Sequence, residues 1–183
     1  MKWPLAAGVL AILLAITHTY GQTTAPATRP RVQSVVYVFD IEHYNRQIIM
    51  AGVKHIVDAI YELPPSNPFG IVYVRTKVQR LAGNLVTPTE EHKERVLKFL
   101  NEETTPQGDS RPAINEAIRL KPARIAYVGR GQGHTWHLYV RDRCKRAGIK
   151  VDTWGRYAAD QEETIALEAL SEATGGKFEP RED

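Results

Sequence analysis

From residue 32 onward the apolar positions follow two rhythms that alternate along the chain. Val35–Asp40 (Val-Val-Tyr-Val-Phe-Asp) and Phe69–Val74 (Phe-Gly-Ile-Val-Tyr-Val) are near-continuous apolar runs, the pattern of strands buried on both faces. Between them Ile49, Val53, Ile56, Val57 and Ile60 recur at three- and four-residue spacing. That spacing predicts a helix over residues 46–63 with one apolar face, stopped by Pro64-Pro65 because proline has no N–H to continue it. Residues 78–81 predict a short third strand, the hairpin neighbour of the second. Thr87-Pro88-Thr89-Glu90 has the form of a capping box, with Thr87 at the cap, Pro88 at the first helical position and Glu90 three residues on. It predicts a helix running to about Asn101, with Val96, Leu97 and Leu100 turned inward.

The second half repeats the alternation. Residues 112–120 read as a helix, 124–128 as a strand, 136–147 as a helix and 149–154 as a strand. A last helix over 162–174 is stopped by Gly175-Gly176, and a short edge strand follows over 177–179. Strands separated by helices need crossover connections. The expected fold class is therefore α/β: a three-layer, doubly wound, mostly parallel central sheet with helices on both faces, Rossmann-like in architecture. Ligands in such folds gather beyond the C-terminal strand ends, which here carry Asp40, Arg75, the Gly129-Arg130-Gly131-Gln132-Gly133 loop and Gly155-Arg156.

The start of the chain has a different character. Lys2 precedes an apolar or small-residue run of 13 residues from Pro4 to Ile16, and Thr19-Tyr20-Gly21 offers small residues for cleavage. The run is shorter than the ~18–20 residues a bilayer-spanning helix needs. The expected organisation is a signal peptide over 1–21, a disordered Thr/Ala/Pro linker over 22–31 and one domain over 32–183. The expected product is exported, periplasmic or secreted, with no membrane span after signal cleavage. The lone Cys144 cannot cross-link its own chain and shares a helix face with Trp136 and Val140, as a core thiol would. Net charge is +3; without the leader it is 23 basic residues against 21 acidic, or +2. So small an excess argues against nucleic acid as a partner.

The strand ending in Asp40, the Leu63-Pro64-Pro65-Ser66-Asn67-Pro68-Phe69-Gly70-Ile71-Val72 stretch, Val78-Gln79-Arg80-Leu81 and the closing Leu170-Ser171-Glu172-Ala173-Thr174-Gly175-Gly176-Lys177-Phe178 together resemble a von Willebrand factor type A domain. The resemblance implies a protein-binding module. It also implies a metal-ion-dependent adhesion site built from an Asp-x-Ser-x-Ser motif, a Thr from a later loop and an Asp after the fourth strand. Carried over by position, the first Asp is Asp40, but the two Ser positions hold Glu42 and Tyr44. The later loop, residues 107–111, offers Asp109 and Ser110, and the last Asp falls on Arg130. A hard divalent cation wants several oxygen ligands in a compact shell, and a guanidinium is not one.

The resulting expectation is a degenerate site with no metal and no cofactor. Arg130 fills the vacated ion space and pairs with Asp40 as a structural plug. The alternative keeps Arg130, with Arg111, Arg75 or His134, as a pocket for a small anion or an acidic side chain. A dinucleotide loop is disfavoured because the third glycine position of Gly-x-Gly-x-x-Gly holds His134. A hydrolase is disfavoured because no Ser or Cys sits in a nucleophile-elbow context. The expected function is binding of a protein partner, not catalysis.

Overall fold

The computed structural model describes residues 33–40, 46–75, 77–101, 109–130, 133–156 and 161–181. Among them are six strands and five helices. The strands are β1 (Val35–Asp40), β2 (Phe69–Val74), β3 (Val78–Arg80), β4 (Arg124–Val128), β5 (Lys150–Arg156) and β6 (Phe178–Arg181). The helices are α1 (Arg46–Tyr61), α2 (Glu90–Asn101), α3 (Arg111–Arg119), α4 (Gly133–Ala147) and α5 (Gln161–Thr174). The strands form one sheet in the order β3-β2-β1-β4-β5-β6. Every neighbouring pair is parallel except the β2–β3 hairpin.

Helices cover the sheet on both faces, and each face has its own core. On one face Ile56 and Ile60 of α1, with Val96 and Leu100 of α2, pack over Tyr37, Phe39, Ile71 and Tyr73. On the other, Ile114 and Ala117 of α3, Trp136, Val140 and Cys144 of α4, and Leu167 and Leu170 of α5 pack over Val36, Val38, Val72, Tyr127 and Val151. Successive strand residues feed opposite cores, which is why β1 and β2 are apolar at every position. Val53, Ile56 and Ile60 of the predicted α1 stripe are buried; at ~1.5–3 kcal/mol for each fully buried aliphatic side chain they dominate the docking of that helix.

Several boundaries differ from the sequence reading. The helix expected to be capped by Thr87 begins at Glu90 and is capped by Thr89. The Thr89 Oγ1 accepts the His92 N–H at 3.3 Å, and the Lys93 N–H bonds the Thr89 carbonyl at 2.9 Å. Thr87 stays outside the helix, its carbonyl accepting the Thr89 N–H at 2.8 Å, and His92 stands where Glu90 was expected. Helix α4 starts at Gly133 rather than 136, β5 runs on to Arg156, and β6 spans Phe178–Arg181. The Gly175-Gly176 stop matches its expectation: Gly175 has φ +74°, and the Gly176 N–H reaches back to the Ser171 carbonyl at 2.9 Å.

Candidate functional site at the C-terminal sheet edge

Asp40 closes β1 with its side chain turned toward the α3–α4–α5 face, and it is 1% exposed. Its Oδ2 accepts a hydrogen bond from the Tyr127 hydroxyl at 2.7 Å. Tyr127 comes from β4, where the parallel register sets it opposite Val38. Asp40 lies two positions beyond Val38 on the same face, so the phenol reaches up the strand to the carboxylate.

The Tyr127 ring lies against the Trp136 indole, with centroids 4.8 Å apart and planes at 49°. Trp136, in the first turn of α4 and fully buried, donates its Nε1–H to the Ser110 Oγ at 2.6 Å. Ser110 precedes α3 and is itself fully buried. An unbroken line therefore runs from Asp40 through Tyr127 and Trp136 to Ser110. Both aromatic side chains bring apolar area to the core and satisfy a polar tip.

Gly129 makes this junction possible. A Cβ at that position would stand 2.8 Å from the Asp40 carbonyl oxygen, 2.9 Å from the Asp40 Cβ and 3.0 Å from the Tyr127 hydroxyl. Arg130 follows, with its side chain 40% exposed, and its Nε donates to Glu163 Oε2 of α5 at 2.5 Å. The plug was expected to pair Arg130 with Asp40; the structure shows the Arg130 Nε on Glu163 and the Tyr127 hydroxyl on Asp40. Gly129 presses its backbone onto Asp40, so the next side chain leaves toward α5, whose first turn offers carboxylates.

The remaining candidates separate. Asp109 is half-exposed; its Oδ1 accepts the Arg111 N–H at 2.9 Å, and the Arg111 Nη1 lies 3.6 Å from Oδ2. Arg75, considered for an anion pocket, is 2% exposed and bound into the opposite face. Its guanidinium stacks on Tyr73 at 4.1 Å and donates to Gln79 Oε1 at 2.6 Å and to the Phe99 carbonyl at 2.5 Å. Glu42, Tyr44 and the His134 side chain lie outside what the structure describes. Of the family-pattern ligand positions, the described residues supply three oxygen-bearing side chains: Asp40 and Ser110, each already holding an aromatic donor, and Asp109, which accepts the Arg111 N–H. No group of three or more His, Cys, Asp and Glu that could hold a metal ion occurs among the described residues.

Sequence reasoning missed Tyr127, Trp136 and Glu163. Tyr127 and Trp136 look like ordinary core aromatics, and Glu163 looks like a helix-start acid. The available signal was a polar-tipped aromatic in a mostly apolar strand.

No protein-family model matches the sequence, and no curated protein matches it either. Solved structures do. A von Willebrand factor type A protein from Catenulispora acidiphila superposes with a TM-score of 0.67 at 14% identity, over 82% of this chain and 39% of that one. The fold is that of a von Willebrand factor type A domain. An aerotolerance-related membrane protein from Bacteroides fragilis matches with a TM-score of 0.62 at 12% identity, over 82% of this chain and 92% of that one. Proximal thread matrix protein 1 of the mussel byssus, solved with zinc in its adhesion-site motif, matches with a TM-score of 0.56 at 17% identity, over 81% and 41%. The chain thus spans about two fifths of the Catenulispora and mussel chains and nearly all of the Bacteroides one. At these identities the likeness carries the fold alone. No helix among the described residues is long and apolar enough to cross a membrane.

Proposed function

We propose that this chain is an exported von Willebrand factor A-type module that binds a protein partner without a metal ion at its sheet edge. One observation carries the reading: the Asp40 carboxylate is held from inside by the Tyr127 hydroxyl at 2.7 Å. In a metal-dependent site the equivalent oxygen faces the cation and, through it, the partner's carboxylate. Here it faces a phenol, and Ser110 faces an indole. The third position, Arg130, adds positive charge where the family pattern has a ligand. The described donors do not fit a hard divalent cation, which wants six or more oxygens at close range. The 1–21 segment supports export, and the likeness to von Willebrand factor type A structures supports binding over catalysis. The anion-pocket alternative is weaker, because Glu163 already neutralises Arg130 and Arg75 is engaged on the other face.

The test is affinity capture from an envelope fraction, with the full chain as bait in parallel samples containing Mg²⁺ or EDTA. The same proteins should be captured in both, and Asp40→Asn should retain them. A partner held only with Mg²⁺, and released by Asp40→Asn, would overturn the metal-free reading.

A further inference from the structure

The chain's small net charge conceals a local excess. Residues 141–150 hold Arg141, Arg143, Lys145, Arg146 and Lys150 against one acid, Asp142, a local net of +4 on a chain whose total is +3. Arg141, Asp142, Lys145 and Arg146 of α4 line an open groove of about 550 Å³, with Ala173 of α5 as its small apolar floor. Asp142 is committed within the cluster: its Oδ1 accepts from the Arg141 Nε at 2.9 Å, and its carbonyl accepts from the Arg146 Nε at 3.1 Å. Among the described residues, Lys145, Arg146 and Lys150 form no ion pair with a carboxylate.

Cations in a last helical turn complement the helix dipole, which gives Lys145 and Arg146 an ordinary explanation. It does not extend to Arg141, more than a turn further back, or to Lys150, past the helix end. We infer that this groove is a docking site for an extended, acid-rich protein segment. Arg141 and Lys145 are four residues apart on α4, a rise of about 6 Å along its axis. Side chains on one face of an extended chain recur every ~6.6–6.8 Å, so carboxylates at alternate positions meet successive cations. Shape favours a chain over a lipid surface. A bilayer would touch the outermost cations whatever lay between them, whereas a groove with an alanine floor admits a backbone.

The groove does not depend on the sheet-edge reading. Helix α4 runs from the C-terminal sheet edge back toward the start of β5, so Arg141–Arg146 lie in its far half, away from Arg130.

The experiment measures fluorescence anisotropy of a labelled nonapeptide alternating Glu and Thr, titrated with the full chain at low salt. Saturable binding is expected, with none for the peptide carrying Gln in place of Glu. Lys145→Glu/Arg146→Glu should weaken it at least tenfold, and Lys145→Gln/Arg146→Gln about three- to tenfold. Arg95→Glu/Lys98→Glu on α2, which changes net charge as much as the first pair, should weaken it less than twofold, and Arg130→Ala should leave it unchanged. All four positions in the paired variants are exposed apart from backbone contacts, so melting temperatures serve as the folding control. Equal weakening by both charge reversals, or no saturable binding, overturns the proposal. So does a chain that ignores the peptide but sediments with phosphatidylglycerol vesicles until Lys145 and Arg146 are reversed, since that outcome assigns the surface to a membrane.

Discussion

Replacing Tyr127 by Phe removes the phenol hydroxyl that donates to Asp40 and keeps the ring. The ring stays, so its 4.8 Å contact with Trp136 is retained, and only the hydroxyl that meets Asp40 Oδ2 at 2.7 Å is lost. Both partners are buried, so water cannot replace the bond without opening the sheet edge. A hydrogen bond to a carboxylate in such a place contributes about 1.5–3 kcal/mol. In a domain of this size that lowers the melting temperature by roughly 3–12 °C. Asp40→Ala should cost at least as much, because it takes a buried acceptor from the Tyr127 hydroxyl. In the Asp40→Ala background, Tyr127→Phe should then cost less than it does alone, since the bond it removes is already gone. Urea unfolding of the four proteins gives the coupling directly. A value of 1.5–3 kcal/mol is expected; below about 0.5 kcal/mol, the phenol is a bystander and the inward satisfaction of Asp40 fails as an account of the edge.

Three further outcomes are expected. The Arg130–Glu163 pair is partly exposed on both sides, so a double-mutant cycle in dilute buffer should return no more than about 1 kcal/mol and shrink in 1 M NaCl; a salt-insensitive coupling above that would mean the pair is a buried plug after all. Burial of His55 against Trp154, ring centroids 4.8 Å apart, lowers its pKa despite the opposing pull of Glu179 and Asp58. The unfolded chain therefore takes up this proton first, so stability is complete above about pH 6.5 and falls as pH drops below it, by at most ~1.4 kcal/mol per pH unit; His55→Gln should flatten that slope between pH 7.5 and 5.5. Millimolar Mg²⁺ or Mn²⁺ should leave the melting temperature unchanged within a degree, whereas occupancy at a hundredfold excess over its dissociation constant would add about 2.7 kcal/mol.

The fold was legible because its signals are redundant. Val35–Asp40 and Phe69–Val74 are apolar without a break, and only strands covered on both faces read that way. The α1 stripe repeats at helical spacing over about three turns. Legibility failed where one residue had to decide alone. Thr87-Pro88-Thr89 offers two possible caps, and nothing in the local pattern ranks one above the other. Gly133 and His134 open α4 with no apolar residue to announce it.

The edge chemistry was only half legible, and the reason lies in register. That Asp40 ends a buried strand follows from the sequence. What meets it depends on which β4 residue lies beside Val38, and a contact between side chains 87 residues apart in the chain leaves no local trace of the register behind it. Tyr127 sits in Ile-Ala-Tyr-Val, where a hydrophobic pattern counts it as one more core side chain. Its hydroxyl carries meaning only once Val38↔Tyr127 is fixed. Arg130 poses the same problem in charge. Its place at the edge follows from the strand ending before it, but Glu162 and Glu163 already have a local reason to open α5, where acids favour the positive end of the helix dipole. One carboxylate can serve that dipole and Arg130 together, and with Gly129 packed onto Asp40 the guanidinium is directed to it. A positional likeness to a metal site names the positions that must be filled. Which neighbours fill them is settled by strand register and by one glycine's close approach.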